Sequence, residues 1–194
     1  MIMEKVLDAA RTRLEGRTVR DMAIGVSLIA CELDSGDVGI SYVLRDGLPN
    51  GCSVFPYAQH AINRPALEIA QWSVTGGDDL QRGIASAVLA AASRGQDISD
   101  DDKNGPPFGL NVTHKDTVGM VGLIPPIAAR LKNMAGGIIV FDKGFSLHHG
   151  EDEMLRDETL KPTLLPECDI VILSGTTTTN GTIDSLLEMC TGAK

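Results

Sequence analysis

The chain has 194 residues, enough for one domain or two small ones, and its 43% hydrophobic but only 4% aromatic content requires largely aliphatic cores. A formal charge of −9 argues against nucleic acid or an anionic membrane as partner, because both repel an acidic surface. No apolar run approaches the roughly 20 residues of a membrane span, and residues 1–16 mix charged with apolar side chains, unlike a signal peptide. The expected compartment is the cytoplasm. Four cysteines, Cys31, Cys52, Cys168 and Cys190, form no Cys-x-x-Cys pair, which excludes zinc-ribbon and thioredoxin-like motifs. They read as structural thiols, and this reading is favoured even for Cys52, whose turn-rich stretch 47–52 makes it the one to watch for accessibility.

Residues 4–15 have the spacing of an amphipathic helix, with Val6, Leu7, Ala10 and Leu14 on one face and Gly16 as its stop. Strict alternation follows. Met22, Ile24, Val26, Leu28 and Ala30 point one way, Asp34-Ser35-Gly36-Asp37 turns the chain, and Val38, Ile40, Tyr42 and Leu44 alternate again. This predicts a β-hairpin with one buried face. Asn63-Arg64-Pro65 opens a short helix through Trp72. Asp78 caps a longer one, in which Leu80, Ile84, Val88 and Ala91 share a face, ending near Gly95. The first half is therefore a small α+β module over 1–95. Residues 96–115, with Asp97, Asp100, Asp101 and Asp102 before Asn104-Gly105-Pro106-Pro107, read as a linker. The glycine and glutamate spacing of a calcium loop is missing there.

From 116 to 194 the pattern is that of a parallel sheet. A strand over 117–122 runs through Gly119 and Gly122 into a helix over 126–134, with Ile127, Leu131 and Met134 inward. A second strand, 137–142, ends on Asp142. After a long polar segment, 143–166, a third strand over 169–175 leads through four threonines and Asn180-Gly181-Thr182 into a helix over 183–189. Strand, glycine turn, helix, strand and acidic residue form the order of a Rossmann half. Pro125 and Pro126, however, remove donors that a pyrophosphate would use.

Ligands of open parallel sheets sit beyond the carboxyl ends of the strands. The candidate ligand-binding residues are thus Gly119, Gly122, Asp142, Thr176, Asn180, Gly181 and Thr182. For each an architectural role competes: the glycines as a turn, Asp142 as a loop cap, Asn180 or Thr182 as a helix cap. His148-His149-Gly150-Glu151-Asp152-Glu153 suggests a metal, although adjacent histidines of an extended chain point to opposite sides. His60 and His114 have no visible partner. No nucleophile elbow, zinc-protease helix or phosphate loop is present, and nothing specifies a reaction.

The segments Gly39–Pro49, Val118–Gly122 with Pro125-Pro126, and Leu165–Gly175 closing on Asn180-Gly181-Thr182-Ile183-Asp184 resemble the family described as putative heavy-metal chelation. The resemblance covers nearly the whole chain. It implies an α/β fold: an enolase N-terminal-like α+β domain followed by a truncated Rossmann-like three-layer domain that lacks the usual C-terminal strand and helix, with the site between the two. Where this family has an asparagine late in the helix before the linker, this chain reads Ala87-Val88-Leu89-Ala90.

The expected function is a small-ligand-binding protein of unknown reaction, related to a heavy metal or metal chelate, with a metal ion or small anion as ligand. The alternatives are a nucleotide- or S-adenosylmethionine-dependent transferase and a non-catalytic assembly subunit. An uncovered sheet edge, and a last helix with Ile183, Leu186, Leu187 and Cys190 on one face, predict a homo-oligomer.

Overall fold

The computed structural model describes residues 1–44, 56–96, 109–143 and 153–193, apart from the side chains of 56–58. Cys52, the acidic stretch 97–102 and His148 to Asp152 lie outside the described residues. The chain is mixed α/β and divides into two compact units. Met1–Asp97 with Thr178–Asp184 form one, and Ile98–Thr177 with Ser185–Lys194 form the other. Among the described residues no helix is long and apolar enough to cross a membrane.

The first unit is an antiparallel sheet covered on one face by helices. Helix α1 (Ile2–Leu14) buries Met3, Leu7, Ala10 and Leu14, one stripe at helical spacing. Val6, expected on that stripe, lies beside it and is exposed. Gly16 ends the turn with φ +74°, a conformation that only glycine adopts freely. Three strands follow where a two-stranded hairpin was expected: β1 (Val19–Ile24), β2 (Leu28–Leu33) and β3 (Val38–Tyr42), in the order β1-β2-β3. The alternating run 22–30 breaks at Gly25, whose N–H donates to the Leu28 carbonyl (2.8 Å), and Val26 sits in the open.

After β3 come three short helices, α2 (Pro56–Ala61), α3 (Ala66–Ala70) and α4 (Trp72–Thr75). Helix α5 (Asp79–Ala92) then crosses the sheet. Its start is fixed twice over. The Asp78 carboxylate accepts from Gln81 N–H at 2.8 Å, and Gln81 Oε1 accepts from Gly77 N–H at 2.7 Å. Leu80, Ile84, Val88 and Ala91 are buried, as their spacing required.

The contact between α5 and the sheet reverses the expected face. Ile29, Cys31 and Leu33 are buried, and Gly39 stands opposite Cys31 on the same inner face. A Cβ on Gly39 would come within 2.1 Å of the Ala87 carbonyl oxygen and 2.2 Å of Ala91 N, so only glycine lets the helix backbone approach this closely. Since neighbours along a strand alternate faces, Val38, Ile40 and Tyr42 must point outward, and they are exposed. Alternation alone predicts them in the core. Hydrophobic alternation locates the strand but cannot tell which face the helix takes.

The second unit is a three-stranded parallel sheet. Its strands are β4 (Thr117–Val121), β5 (Gly137–Phe141) and β6 (Ile170–Leu173), in the order β5-β4-β6 with β4 central. Val118 and Met120 pack with Ala128 and Leu131 of α6 (Pro125–Leu131) on one face. Val121 and Phe141 pack with Leu165 and Leu186 on the other, giving the three-layer arrangement expected of a Rossmann-like half. The long polar segment is structured where it is described. Val140 N–H donates to the Met154 carbonyl (2.8 Å) and Arg156 N–H to the Val140 carbonyl (2.9 Å), so 154–156 line the outer edge of β5. Helix α7 (Lys161–Leu164) places Lys161 Nζ 5.9 Å from the centre of the Phe141 ring, with Glu158 at 2.6 Å. Helices α8 (Thr176–Thr179) and α9 (Ile183–Met189) follow β6. Leu186 of α9 is buried, whereas Leu187, expected on the same face, is exposed.

Two measurements check this account. Gly39→Ala should cost at least about 2 kcal/mol in urea denaturation, in the upper part of the overpacking range, because a helix backbone cannot yield as a side chain does. Burial, followed by the charges of Asp21 and Glu32, pushes the Cys31 thiol up to about 12. The folded state therefore holds that proton more tightly than the unfolded chain, where a thiol titrates near 9.0. Stability contributed by the protonated thiol is intact below that pH and is lost as pH rises toward about 12. Cys31→Ala should flatten the alkaline loss in denaturation midpoints followed from about pH 7 to about pH 10.5.

Candidate functional site

In the second unit, the chain leaving β4 and the chain leaving β6 meet. The strand order puts β5 on one side of β4 and β6 on the other, so the carboxyl ends of β4 and β6 flank the point where the winding direction reverses. Gly122 takes φ +84°, and its N–H donates to the Phe141 carbonyl at 2.8 Å. A Cβ there would lie 2.6 Å from Ser174 Cβ, so glycine admits Ser174 to this corner. Ser174 N–H in turn donates to the Val121 carbonyl at 2.9 Å.

The Ser174 hydroxyl accepts from Thr176 O–H at 3.1 Å and from Thr176 N–H at 3.4 Å. Two acceptor sites are thus engaged, and among the described residues no acceptor takes the O–H proton. Gly175, exposed, leaves open space beside this group. Thr177 is buried and donates its O–H to the Ser174 carbonyl at 2.7 Å, closing the first turn of α8.

Two predicted residues of this unit have architectural work. Gly119 lies in the middle of β4, where a Cβ would be 2.9 Å from Cys168 Sγ and 3.1 Å from Leu165 Cδ2, so it makes room for the 165–168 turn. Asp142 Oδ2 accepts from Leu123 N–H at 2.7 Å and so holds the loop that leaves β4. The acidic residue at the end of the second strand is a loop cap here, one of the two roles open from its sequence position.

Asn180, Gly181 and Thr182 belong to the first unit. Asn180 Oδ1 accepts from Thr182 N–H (3.1 Å) and Thr182 O–H (2.7 Å), a side-chain turn that starts α9. Arg82 of α5 holds this segment. Its Nε donates to the Thr179 carbonyl and its Nη1 to the Gly76 carbonyl, both at 2.8 Å, while Nη2 pairs with Asp79. Gly181, at φ +72°, leaves room beside the Arg82 guanidinium. Ile2 N–H donates to Asp184 Oδ1 at 2.7 Å. Sequence reasoning missed Ser174 and Arg82. Ser174 had one signal, as the first polar residue after the apolar run of β6. The partner of Arg82 lies 97 residues away, beyond any local pattern.

The described side chains do not fit a directly coordinated soft metal. Among the described residues no group of three or more His, Cys, Asp or Glu side chains stands together as a metal would need. The thiols of Cys31, Cys168 and Cys190 are each pushed up, first of all by burial, which disfavours the thiolate that metals bind. His60 and His114 are both exposed. Two cavities of about 430 and 410 Å³ open on the first unit, and none of the seven predicted residues lines them.

Two family models match the chain: DUF4213 over residues 7–93 and DUF364 over residues 107–194, both described as putative heavy-metal chelation. No curated protein matches it. Among solved structures, a DUF364-family protein of unknown function from Pyrococcus horikoshii is similar. It is 21% identical with a TM-score of 0.73, the match covering 100% of this chain and 76% of that one. A DUF364-family protein of unknown function from Desulfitobacterium hafniense DCB-2 is 16% identical with a TM-score of 0.71 and the same two coverages. At these identities the likeness is one of fold. With both matched regions carrying the same description, the chain belongs to the putative heavy-metal chelation family.

Proposed function

We propose that this protein binds a small ligand rich in acceptor oxygens, a metal chelate or another small anion, at the carboxyl ends of β4 and β6. The observation that carries this reading is the Ser174 hydroxyl. Its Oγ accepts twice from Thr176, which leaves its own proton for an acceptor oxygen of a ligand at this corner, where a Cβ on Gly175 would meet open space. Carboxylate, hydroxamate or phosphate oxygens meet that demand, and the first two are the groups by which small molecules chelate metals. The family description supports a metal-related function. The buried thiols, and the lack of a ligating cluster among the described residues, favour a metal carried by its chelator over a bare ion.

Gly122 serves by admitting Ser174 and Thr176 by presenting it; Asp142 keeps the β4 loop in place. Pro125 and Pro126 at the start of α6 remove two N–H donors, which weighs against a nucleotide-dependent transferase at this corner. Arg82 and Asn180 fix the segment that follows.

Calorimetric titration with citrate, with nickel–citrate and with nickel ion alone tests the proposal. The wild type should bind the carboxylate-bearing probes more tightly than the bare ion. Ser174→Ala should weaken that binding about tenfold, the loss of one hydrogen bond to a charged group. Citrate and nickel–citrate bound equally by wild type and Ser174→Ala, or no more tightly than nickel ion alone, would end this reading. Asn180→Ala should lower stability by about 1 kcal/mol in urea denaturation, as loss of a helix-start acceptor does.

A further inference from the structure

We propose that the outer face of the β1–β2–β3 sheet is the docking surface for a second copy of this chain, packed sheet on sheet. Directly paired residues share a face, so Leu28 opposite Tyr42, Ala30 opposite Ile40 and Ala23 opposite Ala30 lie together on the side away from α5. Their exposures are large for apolar groups: Leu28 and Val38 45%, Ile40 58%, Tyr42 59%, with Val26 at 74% in the adjoining turn. An antiparallel sheet that faces water normally places polar residues on that side. Here the charges on this face gather at one end, where Glu32 stands opposite Asp21 and takes the Arg20 guanidinium at 3.3 Å. The rest is uncharged. Nor is the exposure a register accident, because Gly39 under α5 fixes which residues face out.

The face fits itself. β3 carries the bulky residues Val38, Ile40 and Tyr42 in one row, while β1 and the middle of β2 carry Ala23 and Ala30. A two-fold axis parallel to the strands and midway between two stacked sheets places β3 of each copy over β1 of the other. The row of one then enters the hollow of its partner, the self-complementarity an isologous contact requires. Sheets stack in this way about 10 Å apart. Three strands of this length present a face of about 17 by 14 Å. That is about 240 Å² in projection and on the order of 400 Å² of accessible surface per copy once side-chain relief is counted, so the pair falls below the roughly 1,000 Å² of a standard specific interface, among weak, transient contacts. A micromolar dimer is the expected strength. Each copy carries −9, so the two repel at long range, and salt that screens this charge should tighten the dimer.

Sedimentation velocity of the full chain from about 1 to 100 µM, the range that brackets such an interface, should show a monomer–dimer transition that moves to lower concentration at higher salt. Ile40→Lys, at an exposed position, should weaken the dimer at least tenfold while leaving the thermal melt of the monomer in place. Leu187→Lys, exposed on α9, should leave the dimer unchanged. A wild type that stays monomeric throughout, or a dimer lost in Leu187→Lys and kept in Ile40→Lys, would overturn the proposal. So would association that weakens with salt, which would mark a charged contact elsewhere. Because the assay uses no ligand, its failure would leave the binding reading at Ser174 untouched.

Discussion

The backbone contact between α5 and Gly39 is the constraint from which the first unit follows. A helix that brings Ala87 and Ala91 against a strand can do so only where the strand lacks a Cβ. Gly83, on the facing side of the helix, repeats the device: a Cβ there would be 2.9 Å from Ile29 Cδ1 and 3.3 Å from the Tyr42 carbonyl. With helix and sheet this close, the small side chains of α5 suffice to fill the layer, and few aromatics are needed. The cost is paid on the other face, where the strand's larger residues have nowhere to go but outward.

In the second unit the central position of β4 has a comparable role. Its neighbours lie on opposite sides, so the chain leaves β4 and β6 side by side before the two connections part, and a corner lies at their starts. Gly122, with its left-handed φ and missing Cβ, lets Ser174 close that corner from the other strand. Gly119, two ladder positions from the end of β4, serves packing instead, by admitting Cys168. Two glycines three residues apart thus have different uses, and the motif they form carries no single meaning.

The chemistry available at the corner is that of hydroxyls and backbone amides. Such groups are neutral at all ordinary pH, bind oxygen-rich ligands through directed hydrogen bonds, and hold bare soft metals poorly. Cys31 and Cys168 are packed as small apolar groups, and burial pushes both thiols up, which disfavours the thiolate. The description of both matched regions as putative heavy-metal chelation and a corner of hydroxyls are compatible under the proposed reading, in which the metal arrives already coordinated.

Much of the architecture was legible in the residues themselves. The α5 stripe, its Asp78 cap, the Gly16 stop and three apolar runs of parallel-strand type each followed from local periodicity and turn chemistry, which depend on near neighbours alone. What the sequence left open were choices between equal local options. Alternation in 38–42 is the same whichever face is buried, and only α5 against Gly39 decided it. Asp142 suits a ligand or a loop equally by position; only the folded backbone shows that its carboxylate holds the Leu123 N–H. Arg82 and Thr179, like Gly122 and Ser174, are far apart along the chain, and their meeting is a property of the folded backbone. Sequence determined most of the elements because those energies are local, while the tertiary structure decided faces, partners and the corner because those energies come from contacts between distant segments.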